Sequence, residues 1–190
     1  MIPLKIFLEK VNIEMKIINT KFKGLIIFKK ETYLDNRGYF RELFLEKNFK
    51  EKFPFDVMSL SKKNVIRGLH LQIKKSQGKL ITVMKGKLFN VAVDCRKKSK
   101  TFGKYFCINL SEHDNTSIYI PEGFAHGFCS LENNTILHYK CTNYRDAKSE
   151  TGILWNDPVL KIKWPIKNPS ISAKDRRNLT FSDFARLYSL

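Results

Sequence analysis

The stretch LITVMKGKLFNVAVD, residues 80–94, holds two runs rich in apolar and β-branched residues, Leu80–Met84 and Leu88–Asp94, on either side of Lys85-Gly86-Lys87. Side chains alternate between faces along a strand, so such runs suit strands that bury at least one face. The Lys-Gly-Lys step reads as a tight turn, with glycine free to take the backbone angles a short turn needs. The same signal recurs at Gly24–Phe28, Tyr105–Leu110, Ser117–Ile120 and Thr135–Tyr139, the last preceded by Asn133-Asn134 as a second turn. These are strands at hairpin spacing. Helical spacing occurs only at Leu45, Phe49 and Phe53, and near the C-terminus at Phe181, Phe184, Leu187 and Tyr188, so helices should be short and peripheral. An all-β antiparallel barrel or jelly roll is the economical architecture.

With 190 residues and no repeat, low-complexity tract or linker, the chain reads as one domain over residues 15–190. Residues 1–14 read as an N-terminal extension, because Met15 opens a smoother stretch, MKIINTKFKGLIIF. The opening MIPLKIFLEK lacks a cleavage site and a sustained apolar core, and no apolar run approaches the roughly 18 residues of a membrane span. A cytoplasmic protein without membrane attachment is expected. Cys95, Cys107, Cys129 and Cys141 form no Cys-x-x-Cys pair, which leaves buried free thiols in place of zinc ligands or disulfides. The formal net charge is +17. Its lysines are spread along the whole chain, as a solvated surface would have them, without the clustering of a nucleic-acid groove. A small anionic substrate would still profit from the field.

Four segments set polar groups in or beside apolar strands: DNRGYFRELF at 35–44, NVIRGLHLQ at 64–72, IPEGFAHGF at 120–128 and HYKCTNY at 138–144. A polar group there costs free energy unless it is paired or working. In an extended strand Gly68, His70 and Gln72 share one face. Imidazole titrates near neutrality and suits general-base work, Arg67 is a bidentate donor for phosphate or carboxylate, and Gly68 permits close approach of a ligand. A lone strand histidine is by itself more often structural, and it is the company of these neighbours that marks His70.

Together with QGKL at 77–80, VAVDCRKKSKTFG at 91–103, LWNDPVLKIKWP at 154–165 and ISAKD at 171–175, these segments follow the order and approximate spacing of the dTDP-4-dehydrorhamnose 3,5-epimerase family, which the chain resembles from about residue 16 to residue 176. The resemblance implies a cupin-type jelly roll working as a homodimer on a nucleotide-diphosphate sugar without a cofactor. Metal-binding cupins carry His-x-His and a later Pro-x-Gly-x-x-His. Here His70-Leu71-Gln72 and Pro121 to His126 occupy those blocks, so one ligand histidine is a glutamine, and acid–base chemistry is favoured over a metal site.

The chemistry needs more than a base. If a ketone's α-carbon lies more than about ten pK units above imidazole, proton transfer alone faces roughly 14 kcal/mol, so a donor must stabilise the enolate oxygen. By the resemblance, His70 is the base, Asp175 the carboxylate that orients it, Tyr139 the acid acting from the opposite face, and Lys79 the enolate-stabilising cation. Arg37, Glu42, Arg67, His126, Glu150 and Lys174 match substrate-contacting positions. Without the resemblance, Tyr139 is as well explained as a barrel aromatic, Asp175 as a turn terminator and His126 as a structural hydrogen-bonding group. His138 alternates away from Tyr139, His113 lies in a polar loop, and Asp94 with Arg96 reads as a structural pair. The chain departs from the family at the nucleotide end, where Phe55 and Val57 replace a Gln and an Asn, and Arg145 follows Tyr144 in place of a second tyrosine. Phe55 offers a stacking face, Val57 neither face nor amide, and Arg145 a planar cation, so weaker thymine selectivity is expected. Two other readings stand beside the 3,5-epimerase. One is an enzyme that inverts a single carbon or isomerises the keto sugar on a GDP or UDP carrier. The other is a non-catalytic binding barrel, disfavoured because it needs neither an acid nor a base.

Overall fold

The structure, a computed structural model, describes residues 15–188; the expectation for residues 1–14 lies outside them. In chain order the strands are β1 (Lys16–Asn19), β2 (Ile26–Lys29), β3 (Tyr33–Asp35), β4 (Gly38–Phe40), β5 (Phe55–Ser61), β6 (Ile66–Gln72), β7 (Lys79–Lys85), β8 (Lys87–Asp94), β9 (Tyr105–Ser111), β10 (Thr116–Ile120), β11 (Phe124–Ser130), β12 (Thr135–Cys141) and β13 (Glu150–Gly152). They form a six-stranded sheet in the order β1-β2-β10-β7-β12-β5, a five-stranded sheet in the order β13-β6-β11-β8-β9, and a β3-β4 hairpin. All the pairings within these sheets are antiparallel. The all-β, cupin-type jelly roll is as expected.

The turn at Lys85-Gly86-Lys87 does not close a hairpin. Gly86, at φ 78°, hands the chain from β7 in one sheet to β8 in the other. Asn134 turns with φ 57° between β11 and β12, again in different sheets. A tight turn fixes reversal of direction, whereas the sheet a strand joins is set by which faces must be covered, and both strand pairs have an apolar face to bury. That face is the core between the sheets: Ile81 and Val83 from β7, Ile118 and Ile120 from β10, and Leu137 from β12 meet Leu88 and Ala92 from β8, Leu110 from β9, and Phe124 and Phe128 from β11. Each large apolar side chain buried there contributes roughly 1.5–3 kcal/mol.

Each sheet also has an outer face under cover. Against the six-stranded sheet, Phe28, Leu80 and Tyr119 pack with Met15, Phe44, Phe49 and Phe53. The helix expected through Leu45, Phe49 and Phe53 is only a 3-10 turn at Glu46–Asn48. The rings of Phe44, Phe49 and Phe53 converge at 5.0–5.4 Å, so their spacing serves an aromatic cluster. On the outside of the five-stranded sheet lie Leu69, Leu71, Val91 and Val93, covered by Leu160 and by Phe181 and Phe184 of the helix α1 (Phe181–Leu187). Thr180 caps α1, its hydroxyl accepting from Asp183 N–H at 3.1 Å.

Of the four cysteines expected to be buried, Cys107 is exposed. It sits on the edge strand β9, opposite Val91 and thus on the outer face, beyond the reach of the covering segment. Asp94 and Arg96 do pair, at 2.8 Å. No helix among the described residues is long and apolar enough to cross a membrane.

Candidate active site

A cavity of about 700 Å³ opens between the two sheets. In-register partners across a sheet project to the same face. Tyr139 pairs with Val57 and Ile81, and Cys141 with Phe55 and Lys79. Ile81 belongs to the inner core, so Phe55, Val57, Lys79, Tyr139 and Cys141 form the wall given by the six-stranded sheet. On the other sheet His126 pairs with Ala92 and with His70, while β13 sets Glu150 opposite Gln72 and Gly152 opposite His70. His70, Gln72, His126 and Glu150 form the facing wall. Arg67, Arg145, Lys174 and Asp175 also line the cavity.

Asp175 arrives from the C-terminal segment, which bridges Val65 through Ser170 and Ile153 through Leu179. It opens a 3-10 turn, yet its carboxylate is not a cap. His70 Nε2 lies 2.6 Å from Asp175 Oδ1, and Gly68 N–H donates to Oδ2 at 3.2 Å. The Asp175 N–H itself donates to the Ser172 hydroxyl at 3.0 Å. Burial works to raise the Asp175 pKa, but the hydrogen bond and charge of His70, the Gly68 N–H and Lys174 outweigh it and hold the carboxyl below its ordinary value. A carboxylate at Nε2 makes that nitrogen the donor and leaves the imidazole's lone pair on Nδ1.

On the facing wall the Tyr139 hydroxyl lies 3.2 Å from Ser59 Oγ. Burial raises its pKa to about 12, with the Ser59 hydrogen bond and the Arg67 charge pulling the other way. Burial lowers the pKa of Lys79, while Cys141 and Glu150 oppose the shift. His126 is buried and its Nε2 meets Asn90 Oδ1 at 2.9 Å. Burial, then the charges of Lys79 and His70, hold its pKa well below the ordinary value, so it is a neutral imidazole at physiological pH. Its ring stands edge-on to Tyr139 at 6.1 Å.

At the mouth, Glu150 is bracketed by Lys174 and by Arg145, the latter at 3.0 Å. Burial alone would raise the Glu150 pKa, but these two cations lower it. Arg67 spends two donors on Ser61 Oγ and Leu60 O, at 3.0 and 3.1 Å, and the guanidinium has others to offer a ligand. Phe55 meets Tyr144 at 6.0 Å, while Arg145, expected to stack on a base, is engaged with Glu150.

Not every expected residue gathers here. Gln72 lines the cavity, but its amide pins the loop beyond: it donates to Lys75 O and Tyr144 O and accepts from Asp146 N–H. Arg37 and Glu42 do not line this cavity. Arg37 forks onto Asp35 at 2.6 Å on the exposed β3-β4 arm, and Glu42 borders a small separate recess with Lys30 and Tyr33. His138 points outward toward Asp56, at 3.4 Å, as alternation required. Ser59 and Asn90 were missed. The signal for each was a polar residue in phase with inward neighbours, Ser59 after Phe55 and Val57, Asn90 between Leu88 and Ala92. Among the described residues no three His, Cys, Asp or Glu side chains converge as metal ligands.

The family model for dTDP-4-dehydrorhamnose 3,5-epimerase matches residues 19–183. The chain is 44% identical over 171 residues to the dTDP-4-dehydrorhamnose 3,5-epimerase of Methanothermobacter thermautotrophicus, covering 86% of this chain and 92% of that one. It is 43% identical to the enzyme of the same name from Shigella flexneri, covering 89% and 97%. The crystal structure of dTDP-6-deoxy-D-glucose-3,5-epimerase from Legionella pneumophila, in complex with dTDP-4-keto-L-rhamnose, superposes with a TM-score of 0.86 at 40% identity, covering 89% and 94%. On the strength of the family model and these relatives, the chain belongs to the dTDP-4-dehydrorhamnose 3,5-epimerase family.

Proposed function

We propose that the chain inverts C3 and C5 of dTDP-4-keto-6-deoxyglucose, giving dTDP-4-keto-L-rhamnose through two enolates that share the C4 oxygen. The observation that carries this reading is the facing arrangement of a carboxylate-backed imidazole and a half-buried phenol, on opposite sheets of one cavity. His70 Nδ1 takes the proton from the carbon beside the ketone, and the C–H electron pair moves onto the C4 oxygen. The imidazolium so formed is stabilised by Asp175. Lys79, which has no hydrogen bond or ion pair among the described residues, supports the enolate oxygen. Tyr139 returns a proton from the other face, which inverts the carbon, and at a pKa of about 12 it is still protonated at neutral pH. The same groups then act on the second carbon after solvent water takes the proton from His70 and returns one to Tyr139. No electrons leave the substrate. Arg67, Arg145 and Lys174 place positive charge where a diphosphate enters, in excess over Glu150.

A homodimer is part of this reading. Tyr33, Leu34, Tyr39 and Phe40 of the arm are all exposed, an apolar surface that favours a partner, and Arg37 and Glu42 on that arm reach substrate only if they enter a second copy's cavity. Met15 already packs against the outer aromatic cluster, which supports residues 15–190 as the catalytic unit.

Proton NMR of the keto sugar in deuterated buffer tests the function directly. Deuterium should enter at both C3 and C5, and His70→Ala should slow this by about a hundredfold or more, as loss of a general base does. Exchange at one carbon only would overturn the two-carbon reading. Near-normal exchange in His70→Ala would remove His70 as the base.

A further inference from the structure

The side-chain amide of Asn178 lies against Gly152, outside the cavity lining but beside its base. Gly152 is in register with His70 across β13 and β6, and such partners share a face with Cβ atoms about 5 Å apart. A side chain at 152 would therefore stand next to the imidazole. Asn178 takes that place: a Cβ on Gly152 would meet Asn178 Nδ2 at 2.5 Å and its Cγ and Oδ1 at 2.6 Å. The amide thus lies flat over the glycine.

Backbone hydrogen bonds stitch the two segments together at this point. Leu179 N–H donates to Gly152 O at 3.1 Å, and Leu154 N–H donates to Leu179 O at 2.8 Å. Asn178 also closes the 3-10 turn that Asp175 opens, its N–H donating to Asp175 O at 3.4 Å. The turn therefore connects the amide on Gly152 to the carboxylate 2.6 Å from His70. Asn178 Nδ2 is buried with no hydrogen-bond partner among the described residues. A buried donor left unpaired is unfavourable, so what the amide contributes here is shape, filling a slot cut to its outline.

We infer that Asn178, seated on the side-chain-free Gly152, is a positioning residue that holds Asp175 at hydrogen-bonding distance from His70 and thereby orients the base. The inference rests on the reading of His70 as the base. A displaced Asp175 misorients the base without touching substrate, so its signature is a fall in kcat with KM little changed.

The test compares Asn178→Ala, Gly152→Ala, their double variant, Asp175→Asn, and Asp175→Asn with Asn178→Ala, by kcat and KM for the keto sugar, with thermal unfolding as the control for folding. Asn178→Ala should lower kcat about tenfold, well within what a misplaced catalytic group costs, with KM changed less. On the Asp175→Asn background the same substitution should add little. Gly152→Ala should lose at least as much as Asn178→Ala, and the double variant should recover much of that loss, because removing the amide makes room for the new methyl. If Asn178→Ala does not fold, Gly152→Ala and its rescue decide the matter. An unchanged kcat in Asn178→Ala, a KM that rises as much as kcat falls, or a failure of the double variant to recover would overturn the inference while Asp175→Asn still loses activity. An unchanged kcat in Asp175→Asn would instead overturn the base assignment, and this inference with it.

Discussion

Lys79 stands on the inner face of β7 in a cavity whose other cations are engaged at its mouth, Arg145 and Lys174 with Glu150 and Arg67 with Ser61 and Leu60. Burial disfavours its charged form, so its pKa lies below the ordinary lysine value. A lowered lysine pKa means that the ammonium is lost at lower pH, and if that ammonium stabilises the enolate, the basic limb of kcat should fall below about pH 10.4. Tyr139, at about 12, would lose its proton later. Lys79→Arg keeps its charge beyond about pH 12, so its basic limb should move to higher pH, while its neutral-pH rate drops because a guanidinium fork does not replace an ammonium point charge. Deuterium exchange measured across pH checks this, and an identical basic limb in the two proteins would assign it elsewhere. The resemblance of Gln77-Gly78-Lys79-Leu80 to the family motif marked Lys79, whereas the absence of a hydrogen bond or ion pair to its ammonium among the described residues was not legible, since that depends on what the opposite sheet brings near.

At the level of elements, the site depends on how closely β6 approaches β11. Gly68 has φ 123°, and a Cβ there would lie 2.5 Å from Gly127 Cα and 2.7 Å from His126 O. Both strands place a catalytic-wall histidine in register at this crossing. Gly68→Ala meets an unfavourable backbone region, costing roughly 1–3 kcal/mol, and a backbone clash that no side-chain rotation relieves. Stability should therefore fall by about 3 kcal/mol or more, read as a lower urea midpoint with an unchanged slope, and the activity of the remaining folded protein should fall as His70 and His126 separate. A midpoint within error of the parent would show that the strands can part without cost. The sequence marked Gly68 as a place of close approach, but the neighbour it admits proved to be another strand. Alternation along β12 is enough to set Tyr139 inward and His138 outward, and both side chains obey it. The helix expected through Leu45, Phe49 and Phe53 failed because three-to-four-residue spacing of aromatics also serves a folded-back loop that stacks its own rings.

For the whole molecule, the β3-β4 arm leaves four large apolar side chains exposed and carries two residues expected at the substrate yet distant from this chain's own cavity lining. The proposed second copy would account for both. Sedimentation equilibrium should give twice the 22.3 kDa chain mass, and Leu34→Glu with Phe40→Glu should shift the protein toward the single-chain mass and lower kcat/KM together. A single-chain mass at full activity in the parent protein would remove the homodimer, and with it the substrate roles of Arg37 and Glu42.

Alternation in the order of residues was enough to mark six of the thirteen strands, most of their inward and outward faces, and the residue types able to carry acid–base chemistry, because alternation is a local property and a polar group in an apolar run shows there directly. His70 is marked by its neighbours, whereas Tyr139, Lys79 and Asp175 are marked by the family resemblance. Only the tertiary structure decided that the Lys85–Lys87 turn crosses between sheets, that the amide of Gln72 is consumed by a loop, that Arg145 is held by Glu150, and that Asp175, 105 residues beyond His70, meets it at 2.6 Å. Those outcomes depend on which buried faces pair across the core and on which donors find acceptors far away in sequence, and packing settles such competitions where local propensity has no say.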